Sequence, residues 1–208
     1  MALAQAIDLA QPLTPAQILA ASKAGVEALC RYLWAGGKGL TLAEARAATA
    51  ANMKLVVVYE GRGDRYSSFT AAQGSIDAHH AIVLAQSLGI PKGATIYFCG
   101  DDFDATGSEI AGGILAYVKA ASPVIRGAGF RFGVYGNGAM CKAMLDANLA
   151  DNAWVWGAMG TNGTAAFVAS NRWSIRQHPP VREFGVSVDP DEIQGDYGGF
   201  LVDLPKAA

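Results

Sequence analysis

Apolar positions along the chain follow two alternating rhythms. Short β-prone runs, of which Lys54-Leu55-Val56-Val57-Val58-Tyr59 is the most continuous, are separated by longer Ala-rich stretches with apolar residues at helical spacing. A run that is apolar at consecutive positions suits a strand covered on both faces, as in a parallel sheet. The runs predict strands at 6–9, 27–33, 54–59, 95–99, 131–135, 153–156, 173–177 and 185–189. Helix starts are marked chemically between them. Thr14-Pro15-Ala16-Gln17 and Thr41-Leu42-Ala43-Glu44 both read as capping boxes, the first with proline at the first helical position. The stretch 70–88 stops at Gly89-Ile90-Pro91, and further helices are expected over 108–121, 139–148 and, briefly, 165–170.

Repeated strand–helix units imply an α/β fold. A doubly wound open sheet shares this alternation, but eight strands are found and no GxGxxG follows the first, so a closed, compact (β/α)₈ TIM-like barrel is expected. The 208 residues sit at the short end for such a barrel, and without a linker or low-complexity segment residues 1–208 read as one domain.

Composition narrows the partners. A formal charge of −2 with scattered Lys and Arg lacks the basic footprint of a nucleic-acid binder. Every apolar run is interrupted before the length of a membrane span, and the N-terminus has neither the basic region nor the apolar segment of a secretory signal. Synthesis in the cytoplasm is expected, with export by another route if the protein acts outside it. Cys30, Cys99 and Cys141 lie in apolar surroundings and read as buried free thiols. No zinc spacing occurs, no cofactor is expected, and a monomer is the simplest assembly.

Polar residues recur at the proposed strand ends: Asp8, Arg31, Glu60, Asp102 with Asp104, Asn137, Gln177 and Asp189. That rim is where barrel active sites are assembled. Asp102 and Asp104 share a face if the strand stays extended, with Cα atoms roughly 6 to 7 Å apart. Glycosidases work with carboxyl separations of about 5 to 9.5 Å, and close carboxylates separate each other's pKa values. The same pair also suits a hard divalent cation, and Asp104 or Thr106 also suits a helix N-cap. Tyr32, Tyr59, Tyr135 and Trp156 are near strand ends, where flat rings can hold sugar faces, although strand aromatics also fill cores. His79, His80 and His178 have no nucleophile elbow beside them and suggest surface or packing roles.

Several stretches in order, Ile7-Asp8, Arg31-Tyr32-Leu33, Val58-Tyr59-Glu60, Asp102-Phe103-Asp104-Ala105-Thr106, Phe132-Gly133-Val134-Tyr135-Gly136, Trp173 with Gln177, and Val188-Asp189-Pro190-Asp191, carry a resemblance. The chain resembles a bacterial and phage glycoside-hydrolase-like barrel family, formerly a domain of unknown function, related in fold to the glycoside hydrolase family 25 lysozymes. The resemblance implies a TIM-like barrel with an acidic groove and peptidoglycan or a similar amino-sugar polymer as substrate. The lysozymes' Asp-x-Glu pair at the fourth strand is matched here by Asp102 and Asp104. On this basis Asp102, Asp104 and Glu60 are the expected catalytic residues. Asp8, Arg31, Tyr32, Tyr59, Tyr135, Asn137, Trp156, Gln177 and Asp189 are expected to bind substrate. The activity implied is endolysin- or lysozyme-like hydrolysis, with a non-catalytic cell-wall-binding barrel as the alternative.

Overall fold

The computed structural model describes residues 5–61, 65–100 and 103–204. Seven strands follow one another as parallel neighbours: β1 (Ala6–Asp8), β2 (Ala28–Tyr32), β3 (Lys54–Tyr59), β4 (Thr95–Gly100), β5 (Arg131–Gly136), β6 (Asn152–Val155) and β7 (Ile175–Gln177). The barrel is closed by β9 (Val186–Ile193), which pairs with both β7 and β1. The expected eight-stranded α/β barrel is therefore present, with one departure. The eighth barrel strand runs antiparallel to its neighbours and continues past 189 to Ile193. Segment 178–185 carries a hairpin strand, β8 (Val181–Glu183), paired to the start of β9. It is too short for the crossover of a dozen or more residues that a parallel return requires.

Helices α1 (Pro15–Lys23), α2 (Leu42–Ala50), α3 (Ala71–Ser87), α5 (Leu115–Gly127), α6 (Gly138–Asp146) and α7 (Thr164–Ala169) connect the strands. A short α4 (Gly107–Glu109) and a π-turn at Ile110–Ile114 precede α5. Thr14 closes the expected capping box with Gln17. Thr41 caps α2 by accepting from the Glu44 amide, but the Glu44 carboxylate leaves that box for Leu13 N and Arg31.

Alternation along the strands sorts side chains into two layers. One face supplies Ala28, Cys30, Val56, Val58, Tyr97, Tyr135, Trp154 and Ile175 to the lumen. The other supplies Leu29, Leu55, Val57, Ile96, Phe98, Phe132, Val134 and Val155 to the layer under the helices. Gly133 is needed inside the lumen, because a Cβ there would lie 2.5 Å from the Tyr97 ring. At the N-terminal ends of the strands, Tyr97 donates to the Tyr197 carbonyl at 2.8 Å and Thr95 to Asn152 at 2.8 Å. The floor is thus closed by hydrogen bonds and rings, and the C-terminal rim is left for a site. Cys30, Cys99 and Cys141 are all buried free thiols.

Candidate functional site

Reversal of the last strand decides the chemistry of the rim. Because β9 enters the barrel from the rim, its first inward residue, Asp189, stands opposite Asp8 at the end of β1. Asp191 lies one layer deeper, opposite Ala6 on one side and Gln177 on the other, and Ile193 pairs with Ile175 below it. Two residues in register on adjacent strands have Cβ atoms about 4.5–5.5 Å apart, so the wall gathers carboxyl groups from two strands. Gln177, ending β7, ties them together. Its Nε2 donates to Asp8 Oδ2 at 2.9 Å and Asp189 Oδ2 at 3.2 Å, while its Oε1 accepts from Tyr135 Oη at 3.1 Å and Gly157 N at 3.3 Å. All four amide positions are in use, so its orientation is determined by its partners.

A pocket of about 80 Å³ is lined by Asp8, Cys30, Tyr32, Val58, Tyr135, Trp154, Gln177 and Asp189, with Arg31 also at its wall. It adjoins a groove of about 320 Å³ running past Leu9, Ala10, Gln11 and Ser187, with Asp8, Tyr32 and Asp189 common to both. Trp154 and Tyr135 lean on each other with ring centroids 4.8 Å apart. The arrangement joins acids, an amide and aromatic faces in one small concavity, the usual make-up of a polar-ligand site.

The electrostatics follow from burial. Asp189, half-buried, has its carboxyl raised above the usual range by desolvation. Asp191 is completely buried and is pushed well up, first by desolvation and then by the charge of Asp8 and a hydrogen bond to it, against a downward pull from the Trp154 indole. That indole N–H donates to Asp191 Oδ1 at 3.1 Å, and Oδ2 receives no hydrogen bond from a conventional donor. Burial first, and then Asp191 and Asp8, push the Cys30 thiol up, so it is an inert member of the lumen.

Of the residues expected to bind substrate, Asp8, Tyr32, Tyr135, Gln177 and Asp189 converge in this cleft. Others do not. Arg31 belongs to the outward face of β2: its side chain is buried under α2, paired with Glu44 at 3.1 Å and donating to the Leu9 carbonyl. Tyr59 also points outward, its hydroxyl donating to Asp77 at 3.2 Å and lying 3.0 Å from His80 Nδ1. Asn137 is fully buried and caps α6, accepting from Met140 N at 2.9 Å while its amide donates to Asp104 and Ala105. Trp156 is half-buried above Trp154's strand end, its indole donating to Thr161 Oγ1 at 2.8 Å.

Among the expected catalytic residues, Asp102 lies outside the described residues. Asp104 is exposed and clips loops together, accepting from Asn137 Nδ2 and Asn162 N, each at 2.8 Å. The N-cap of α4 is Thr106, in a capping box with Glu109. Glu60 is ion-paired with Lys38, whose ammonium also sits 4.5 Å from the centre of the Tyr32 ring. Asp191 was not among the expected site residues, and of the two strand-end tryptophans it is Trp154, rather than the expected Trp156, that lines the cleft. The signal for Asp191 was the Asp189-Pro190-Asp191 spacing, the same period of two that drew attention to Asp102 and Asp104.

Comparison with known proteins is consistent with this architecture. The sequence profile of the Rv2525c-like, glycoside hydrolase-like domain matches residues 19–196. The uncharacterized protein YbfG of Bacillus subtilis (strain 168) is 31% identical over 135 residues, covering 61% of this chain and 18% of YbfG. The chain thus spans less than a fifth of that relative's length. The Tat-secreted protein Rv2525c of Mycobacterium tuberculosis, in a structure with L-tartrate, superposes with a TM-score of 0.74 at 24% identity, covering 93% of this chain and 97% of that one. The catalytic domain of endolysin ply40, from bacteriophage P40 of Listeria monocytogenes, superposes with a TM-score of 0.57 at 12% identity, covering 92% and 93%. At these identities the superpositions speak for the fold. No described helix is long and apolar enough to cross a membrane.

Proposed function

Because the chain belongs to the Rv2525c-like, glycoside hydrolase-like domain family, we propose that it hydrolyses a β-glycosidic bond in peptidoglycan or a related amino-sugar polymer. The observation that carries this reading is the convergence of Asp8 and Asp189 on the Gln177 amide at the open end of the barrel, beside Tyr32 and Tyr135. Asp189, its carboxyl raised by burial, is suited to hold a proton and deliver it to the leaving-group oxygen. Asp8 is suited to remain an anion and to stabilise positive charge developing at the anomeric carbon. Amino sugars can supply the nucleophile through their N-acetyl carbonyl, so one acid and one orienting carboxylate suffice.

In this reading the general acid is on the last strand rather than among the expected catalytic residues Asp102, Asp104 and Glu60. Glu60 is ion-paired with Lys38 and is not among the residues lining the cleft. Asp104 is engaged by two donors on neighbouring loops. Asp102, which follows the end of β4 by two residues in the sequence, stays in the proposal as a carboxylate that positions the substrate. The engagement of Glu60 and Asp104 also favours a second reading, a barrel that binds wall glycan without cleaving it. Mass spectrometry of peptidoglycan and chitin oligomers after incubation separates the two. New reducing ends that disappear in Asp189→Asn support hydrolysis. Glycan pull-down without products supports binding alone, and neither pull-down nor products overturns both.

A further inference from the structure

Asp191 has no place in the reaction just described, yet it is the most buried carboxyl in the cleft and its hydrogen bonding is incomplete. We propose that Asp191 is a positioning residue that stands as a neutral carboxylic acid, its Oδ2–H donating to the Asp8 carboxylate, so that Asp8 is held as an oriented anion at the mouth of the lumen.

Hydrogen-bond accounting leads there. Oδ1 accepts from the Trp154 indole at 3.1 Å, whereas Oδ2 is buried and receives nothing from any N–H or from a hydroxyl. A buried carboxylate oxygen left in that state is costly, but a protonated oxygen becomes a donor and needs only an acceptor. Asp8 is the acceptor at hand, since it stands diagonally across the β1–β9 ladder from Asp191 on the same inward face and its carboxyl acts directly on that of Asp191. Of the two, Asp191 is the one to carry the proton. It is fully buried while Asp8 is half-buried, and Asp8 already accepts from Gln177 Nε2 at 2.9 Å, a contact that favours the anion. Among the described residues, the groups facing Asp191 are Asp8 on β1, Cys30 on β2, Trp154 on β6, Gln177 on β7 and Asp189 on its own strand, and none of these is a cation that would hold a second negative charge in place. The protein's interior at this point is therefore arranged for one proton shared between two acids.

The inference concerns the same cleft as the proposed hydrolysis, but its test needs no substrate, so the two fail separately. The probe is the protein itself: the infrared difference spectrum of wild type minus Asp191→Asn at neutral pH, with thermal melts from about pH 4 to about pH 8. Asparagine reproduces a neutral acid, its amide able to donate to Asp8 and its oxygen to accept from Trp154. That difference spectrum should carry a protonated-carboxyl band on its wild-type side, a proton on Asp189 cancelling in the subtraction. In the folded state Asp191 keeps a proton that the unfolded chain releases above its ordinary carboxylate range, so wild-type stability declines as pH rises through that window. The melting temperature of Asp191→Asn should accordingly gain on wild type with rising pH, while Asp191→Ala, which strands the indole N–H, melts lower at every pH. The proposal is overturned if the band is missing from that difference, if it appears instead in the difference of wild type minus Asp8→Asn, or if the melting difference between wild type and Asp191→Asn is independent of pH.

Discussion

Two parts of the rim carry acidic residues in opposite circumstances. Along β1, β7 and β9, Asp8, Asp189 and Asp191 face the lumen, and their partners are an amide, an indole and one another. Beyond β3 and β4, Glu60 is neutralised by Lys38 and Asp104 is clipped to Asn137 and Asn162. The first group has raised carboxyl pKa values in Asp189 and Asp191, because burial without a compensating cation disfavours charge. The second acts as loop scaffolding. A carboxylate at a strand end thus becomes a site candidate through its direction and its company, and placement on the rim is only the precondition.

The contrast can be broken by mutation. On the proposed function, Asp189→Asn has the largest effect: loss of a general acid should lower glycan cleavage by about 10²- to 10⁴-fold with the melting temperature held or raised, measured by release of reducing ends. If Asp189 is the acid, activity falls on the alkaline side as its carboxyl titrates, and this limb lies above the ordinary Asp range because its pKa is raised. Arg31→Ala comes next, on stability alone. It leaves Glu44 as an unpaired charge at 3% side-chain exposure, and should cost about 3–5 kcal/mol in urea unfolding. Asn137→Ala removes the α6 cap and the amide's donations to Asp104 and Ala105, for a loss of about 1–3 kcal/mol by the same measurement. The smallest effect is Glu60→Gln. With Lys38 39% exposed, its ion pair is worth about 1 kcal/mol or less, and cleavage should stay near wild type. A collapse of activity in Glu60→Gln with little change in Asp189→Asn would reverse the assignment of the two walls.

Much of the barrel was legible in order. Thr14-Pro15-Ala16-Gln17 states its helix start in four residues, because cap geometry is a local matter. The first seven strands fall where apolar runs and turn residues place them, within one or two residues. The period of two also states that Leu29, Arg31 and Leu33 share a face, as do Cys30 and Tyr32. Which face is the lumen is not a local property. Arg31 turned out to lie under α2 because Glu44, 13 residues away, needed a buried partner and Leu9 offered a carbonyl.

The last strand shows the division most clearly. The short interval 178–185 already excluded a parallel crossover, and Asp189-Pro190-Asp191 already held two acids on one face, both readable from the sequence. Pro190 looks like a strand terminator, yet it sits inside β9, where its carbonyl accepts from His178 N at 2.8 Å. By itself the sequence determined the elements, their order and the residue types near the rim, since these follow from propensity, caps and periodicity along a single strand. Only the closed barrel decided that Asp8, Gln177, Asp189 and Asp191 meet. Their contacts join residues as many as 169 positions apart, and the proximity that shifts their proton affinities exists only once β9 is seated between β7 and β1.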